Sequence, residues 1–392
     1  MKILVTSLPD LKKISPQRPH HLLKYLSQKH EVTVLCVNAW WLEERQDEYL
    51  KEALGNIKLF YLSERRINPV FQELSVAKNS NTFCNNLNCN AFDVHLNFNS
   101  LIAGYFIAKR MKIPTIFDIC DDLPERIRKS PQIPDLLKPL GKLVGQFMMK
   151  KNIALAKRIT YVTKSLSDSY NFPKDKSVLI PNGVDTELFH SCSSQELKGE
   201  LGLGEDFVVG FVGVLSDWVD LEPAFIALKE FVRNGLGIKM MVVGGGKMLQ
   251  YFKNLSERYE ISKDIIFTGS TPYTQGPVYI SCMDVCLICR KSTQDSQNSL
   301  PLKLFEYMAC EKPVISTPLA GVKEAVGDRV LYASNAEELK QRILELYHNE
   351  ELRKRLGKEG RRFVERNYSW NKICRKFEEV LIEASESKRR HI

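Results

Sequence analysis

Lys303 and Glu306 lie three residues apart in Leu302-Lys303-Leu304-Phe305-Glu306-Tyr307-Met308-Ala309-Cys310. On a helix that spacing puts an ammonium and a carboxylate on one face. A helix start offers unpaired N–H groups and the positive end of a dipole, a setting that suits a diphosphate. A cation near the phosphates and a carboxylate one turn deeper match the diphosphate and ribose diol of a nucleotide. A carboxylate can accept from both ribose hydroxyls at once. The plainer reading is a solvated Lys–Glu pair on a helix surface. Gly213 ends the apolar run Val209-Gly210-Phe211-Val212, and a glycine there lets the backbone approach a diphosphate. Gly244-Gly245-Gly246-Lys247 follows another such run. It reads as a phosphate-holding nest or as an ordinary strand-to-helix turn.

Three further groups could do chemistry. Asp118-Ile119-Cys120-Asp121-Asp122 follows the strand-like Thr115-Ile116-Phe117. Crowded carboxylates need work or a counter-charge. Asp121 or Asp122 could take a proton from a hydroxyl, cap the next helix, or bind Mg²⁺. Gln17-Arg18-Pro19-His20-His21 opens a helix, with the histidines as helix-start residues or as ligands. Cys282, Cys286 and Cys289 have the spacing of an iron–sulfur motif. They straddle Met283-Asp284-Val285-Cys286-Leu287-Ile288, a buried strand by its composition, whereas cluster ligands need a flexible loop. No metal site is expected.

These residues need a frame. A chain of 392 residues with 44% hydrophobic content can bury two cores. Short β-branched runs alternate with longer amphipathic stretches: 2–6, 31–37, 57–62, 92–96, 114–118, 158–162 and 177–180. They resume at 207–213, 238–243, 264–268, 284–288, 312–316 and 329–332. Alternation of this kind predicts parallel sheets with helices on both faces, and two series predict two Rossmann-like domains. Asn182-Gly183 marks a turn near the boundary. The Asn- and Cys-rich stretch 79–90 reads as a surface loop. A helix over 371–384 precedes a charged tail, Ser385 to Arg390.

Ten cysteines in a chain of this size do not make a disulfide scaffold. Met1-Lys2-Ile3-Leu4-Val5-Thr6 reads as a first strand rather than a leader, and no run of 18 uncharged apolar residues appears, so a cytoplasmic protein is expected. The net charge of +9 is uneven: residues 126 to 158 hold nine Lys or Arg and one acid. Within them Leu136, Leu137, Leu140, Leu143, Val144, Phe147 and Met148 recur at helical spacing. The segment reads as a core helix with a solvated cationic face, or as a helix on an anionic membrane surface. No basic stripe interleaves with aromatics, which argues against nucleic acid.

Pro181-Asn182-Gly183-Val184-Asp185 and Ser299-Leu300-Pro301-Leu302-Lys303-Leu304-Phe305-Glu306-Tyr307-Met308-Ala309 together resemble a GT-B glycosyltransferase of the group that builds microbial surface sugars. The resemblance is strongest in the second half of the chain. It implies two Rossmann-like α/β domains with parallel sheets facing a cleft: an acceptor domain over 1–185, a donor domain over 186–370, and a terminal segment, 371–392, crossing back onto the first. That group carries Glu-x7-Glu ahead of an apolar helix and a Gly-Lys-Pro-Val turn. Glu306 matches the second, ribose-holding Glu. Asn298 stands at the first, which touches the donor sugar, and Glu311 stands at the turn glycine. The Pro-Leu-Lys-Leu-Phe-Glu-Tyr pattern is similar to a sub-group whose Lys, here Lys303, is a phosphate ligand. Val214 stands where the group has Arg, so Lys303, Lys247 and Arg290 are left to supply positive charge. The segment from Gly269 to Tyr273 falls where the base lies. The expected donor contacts are Gly213, Asp217, Gly245, Lys247, Arg290, Asn298, Ser299, Lys303 and Glu306; the acceptor contacts are Arg18 and His20; the catalytic pair is Asp121 and Asp122.

The resemblance implies transfer of a sugar from a nucleotide-diphosphate donor to a hydroxyl of a lipid-linked or polysaccharide acceptor, with no cofactor. Two alternatives share the fold: a nucleotide-sugar 2-epimerase, and a non-catalytic partner subunit with a degenerate donor site.

Overall fold

The computed structural model describes residues 1–86, 88, 91–130 and 133–389. The chain forms two units: Met1–Pro181 with the segment from Asn371 onward, and Asn182–Trp370. The division falls four residues before the expected boundary. Val184 is the reason: it bridges to Ser369, and its N–H donates to the Tyr368 carbonyl at 2.8 Å.

Among the described residues the first unit holds seven strands: β1 (Lys2–Ser7), β2 (Glu31–Cys36), β3 (Ile57–Tyr61), β4 (Val94–Phe98), β5 (Thr115–Ile119), β6 (Arg158–Tyr161) and β7 (Ser177–Leu179). Their order is β3-β2-β1-β4-β5-β6-β7, and each neighbouring pair is parallel. β4 and β5 are buried at every position, as strands covered on both faces must be. The helix from Trp370 to Arg389 returns to this unit. Glu378 on it accepts from Tyr25, Lys29 and His30 at 2.8–3.0 Å.

The second unit holds β8 (Phe207–Val212), β9 (Ile238–Val243), β10 (Ile265–Gly269), β11 (Val285–Ile288), β12 (Val314–Ser316) and β13 (Leu331–Tyr332), in the order β10-β9-β8-β11-β12-β13, again parallel. Side chains alternate between two core clusters. Val209, Phe211, Val285 and Leu287 enter one; Val208, Cys286 and Ile288 enter the other with Leu304, Phe305 and Tyr307. Cys286 and Cys289 therefore belong to different clusters, as residues on a strand and its extension do. The order reverses beside β1 in the first sheet and beside β8 in the second, and such switch points open crevices at the carboxyl ends of strands.

Three expectations need correction. The helix Pro69–Asn86 runs into the stretch read as a loop; no Gly or Pro interrupts it between Val70 and Asn86. Residues 87, 89 and 90 of that stretch lie outside the described residues. The charged tail is helical as far as Arg389, and Arg390 lies outside the described residues. The core reading of the basic segment holds only in part: the helix Lys138–Leu155 buries Met148 and Met149 in the core, but the other six of the seven apolar residues are exposed. No helix among the described residues is long and apolar enough to cross a membrane.

Candidate functional site

The two stretches that stand out in the sequence meet. Asn182 Nδ2 donates to the Leu300 carbonyl at 2.7 Å, one residue before Pro301 caps the helix Leu302–Ala309. At the far end Arg361 Nη1 donates to the last helical carbonyl, Ala309 O, at 2.8 Å, and its Nη2 to Thr186 O at 3.0 Å. Both ends of this short helix are thus tied to the segment after Pro181, which fixes the positions of Lys303 and Glu306.

Lys303 points toward the end of β8. Its Nζ lies 3.7 Å from the centroid of the Phe211 ring, a favourable place for a cation. Gly213 has φ +136, and a Cβ there would lie 2.5 Å from Lys303 Nζ. Glycine is required both by that backbone geometry and by the lysine. Arg290 follows β11; residue 290 bridges to Val219, and its guanidinium lies 6.0 Å from the Trp218 ring. Phe211, Trp218, Val219, Ile288, Cys289, Arg290, Pro301 and Lys303 line one small cavity. Two cations therefore share a pocket floored by aromatic rings.

Burial pushes the Lys303 ammonium down to about 7; Arg290 pushes the same way, against the pull of Glu306. Glu306 is 8% exposed and accepts from Tyr273 Oη at 3.0 Å. Burial pushes its carboxyl up to about 7, against the Tyr273 bond and Lys303. Strongly shifted groups beside a cavity mark a functional-site candidate. The solvated-pair reading of Lys303 and Glu306 does not hold, because Glu306 is buried and the ammonium of the half-buried Lys303 lies over the Phe211 ring. Tyr273 lies just past β10 and stacks edge-on against Phe189, 5.2 Å between centroids.

Other expected residues lie elsewhere or are otherwise occupied. Lys247 and Asp217 form an ion pair with each other, each about half exposed. Gly245 accepts from Leu215 N–H at 2.8 Å, and a Cβ on it would meet Ser270 Oγ at 2.4 Å. The glycine run thus lets two loops touch. Asn298 is 1% exposed, and Ser299 Oγ donates to the Ser296 carbonyl at 2.8 Å. A sugar contact by either would need this turn to open.

In the first unit the acceptor residues turn inward, which corrects that expectation. Arg18 is 2% exposed and bonds Asp118 in two-pronged fashion, Nε to Oδ2 at 2.9 Å and Nη2 to Oδ1 at 2.8 Å. Its Nη1 donates to Pro181 O at 2.9 Å. His20 is fully buried: Gln17 N–H donates to its Nδ1 at 3.0 Å, and its Nε2 donates to Leu11 O at 2.8 Å. Burial pushes it down to about 4, so it stays neutral. Asp122 caps the helix Leu123–Arg128, accepting from Glu125 N–H at 3.2 Å and from Tyr170 Oη. That satisfied, buried carboxylate is a cap rather than a base. Asp121 is partly exposed beyond β5, in an ion pair with Arg126.

Phe211 and Trp218 were not singled out from sequence, and Tyr273 only as the end of the segment expected near the base. The signal for Trp218 was there: an aromatic residue in the polar turn after Gly213. Glu311 adopts φ +58 at the end of the donor-side helix, where a side chain costs about 1–2 kcal/mol. Glu311→Gly is therefore expected to stabilise the protein by about 1 kcal/mol. A thermal melt checks this, with a rise of roughly 2–4 °C expected.

Two parallel six- and seven-stranded units of this order define a GT-B protein. Sucrose-phosphate synthase of Thermosynechococcus elongatus superposes with a TM-score of 0.76 at 15% identity, covering 98% of this chain and 99% of that one. HepE of Anabaena, solved in complex with UDP, superposes at 0.73 and 16%, covering 98% and 100%. Residues 193–363, most of the second unit, match the model of the family glycosyl transferases group 1. An uncharacterized glycosyltransferase of Methanocaldococcus jannaschii is 25% identical over 249 residues, 61% of this chain and 60% of its own. A GDP-mannose-dependent alpha-(1-6)-phosphatidylinositol monomannoside mannosyltransferase of Mycobacterium tuberculosis is 24% identical over 234 residues, 57% of this chain and 61% of its own. The match thus spans about three fifths of the length of each of these two curated relatives.

Proposed function

We propose that the protein transfers a sugar from a nucleotide-diphosphate donor to a hydroxyl of a lipid-linked or polysaccharide acceptor. The observation that carries this reading is the pocket at the end of β8, which Lys303 and Arg290 both line, with Lys303 Nζ against Gly213 and Glu306 one turn deeper. Lys303 and Arg290 supply positive charge for the diphosphate. The Gly213 backbone admits it closely, and Glu306 accepts from the ribose diol. As the glycosidic bond breaks, the negative charge on the leaving diphosphate grows, and preorganised cations stabilise it most in that state. The cations are therefore part of the catalysis as well as of binding. A UDP complex of HepE and the lipid acceptor in the name of the mannosyltransferase support the donor class and one acceptor class.

Asp121 is the proposed proton acceptor for the incoming hydroxyl. It lies at the carboxyl end of β5 and keeps partial exposure, unlike Asp122. The test is release of nucleoside diphosphate from a panel of nucleotide sugars, with and without glycan and lipid-linked hydroxyl acceptors. The expected result is release that requires an acceptor and falls at least about tenfold in Asp121→Asn, with donor affinity unchanged. Sugar turnover without an acceptor would point to the epimerase, and absence of nucleotide binding to a non-catalytic subunit.

A further inference from the structure

The helix Lys138–Leu155 is apolar on two sides, and the donor pocket accounts for neither. Its inner side holds Gly145, Met148, Met149 and Asn152, all buried. A Cβ on Gly145 would lie 2.9 Å from Ile127, so the helix packs closely on the chain around Pro124. Asn152 donates to Leu101 O at 2.8 Å and accepts from Asn97 at 3.1 Å. These contacts fix which side faces out.

The outer side carries Leu140, Leu143, Val144 and Phe147, between 46% and 62% exposed, on one face at helical spacing. The turn leading into the helix adds Leu136, 91% exposed, and Leu137. Contiguous exposed apolar side chains of this kind mark an interaction surface. The charge around them selects the partner. Lys150 and Lys151 are exposed near the end of the row, and Lys151 Nζ lies 5.2 Å from the Phe147 ring. Residues 126 to 158 contain a single acid, Asp135, which is bound to Lys138. A second copy docking through the same face would bring like charges together. An anionic bilayer meets both features at once: apolar side chains enter the acyl boundary while lysines stay at the headgroups.

We propose that this face, Leu136 to Lys151, docks the protein on anionic lipid. The proposal is independent of the donor-site reading. It is tested by co-sedimenting the full-length protein with phosphatidylcholine vesicles, with and without phosphatidylglycerol, at low and high salt. Binding is expected only with the anionic lipid and is expected to weaken at high salt. Lys150→Glu and Lys151→Glu should each weaken it about fivefold or more. Leu143→Ser with Phe147→Ser should abolish it while the melting temperature holds, because both side chains are already exposed. Equal binding to neutral and anionic vesicles, or binding to neither, overturns the proposal. So does self-association that the Leu143 and Phe147 changes abolish, which would make a second copy the occupant.

Discussion

Lys303→Met is expected to lower sugar transfer by about 10²–10³-fold, the usual loss when one preorganised charge is removed from a developing anion. The fold should not suffer. Burial has already pushed this ammonium down to about 7, so near neutrality the protein holds a cation its surroundings disfavour. Methionine keeps the length and the contact with Phe211 while removing the charge. Arg290 then remains as the nearby cation and keeps part of the affinity. Steady-state kinetics and a melting curve on the same sample check both halves. An early melt with a matching loss of rate would make Lys303 a structural residue.

Arg18→Ala is expected to destabilise the first unit by about 3–5 kcal/mol. The cost comes less from losing the hydrogen bonds of Arg18 than from stranding Asp118. That carboxylate is fully buried, with Thr160 Oγ1 at 2.6 Å as its other donor. Its charge would be left in an apolar interior, where it needs a partner. The same guanidinium holds Pro181 O, the last residue before the second unit. For a unit of this size the melting temperature should fall by roughly 6–20 °C. Replacing both partners, Arg18→Met with Asp118→Leu, should recover most of the loss, as buried pairs commonly tolerate. A single Arg18→Ala variant that melts normally would mean the pair adds nothing to stability.

The contrast between these two basic residues shows what sequence can reveal. The candidate role of Lys303 was legible through the family resemblance, because the features that carry it are local: a proline, a helix start and a carboxylate three residues on. Arg18 was not, because its partner Asp118 is 100 positions away. Nothing near Arg18 distinguishes a buried arginine from one reaching for a ligand. His20 failed for the same reason, its Leu11 contact being a matter of loop path. The strands were legible where a parallel strand covered on both faces leaves a continuous apolar run, as in Val285–Ile288. The outer face of Lys138–Leu155 was harder. Periodicity identifies an apolar stripe but not which way it points, and here Gly145 and Asn152 turn another side inward. Trp218 entered the site only because the turn after β8 crosses the end of β11, a pairing with Arg290 that no local pattern encodes.

The central claim is that Lys303 meets the phosphates and Glu306 the ribose, and the pH dependence of affinity tests it most directly. Without ligand both groups titrate at about 7. Phosphates favour charged Lys303 and raise its value, so diphosphate affinity is full below about 7 and falls as pH rises through it. Ribose hydroxyls favour ionised Glu306 and lower its value, so ribose affinity is full above about 7 and falls as pH drops through it. Calorimetry with a nucleoside and with its nucleotide-diphosphate sugar, whose phosphate diesters do not titrate in this range, separates the two. The account predicts nucleoside affinity that rises through neutrality and then levels, and nucleotide-sugar affinity that peaks near 7. Its alkaline limb should fall by up to about tenfold per pH unit and flatten in Lys303→Met. Identical profiles for the two ligands, or no dependence near neutrality for either, would contradict it.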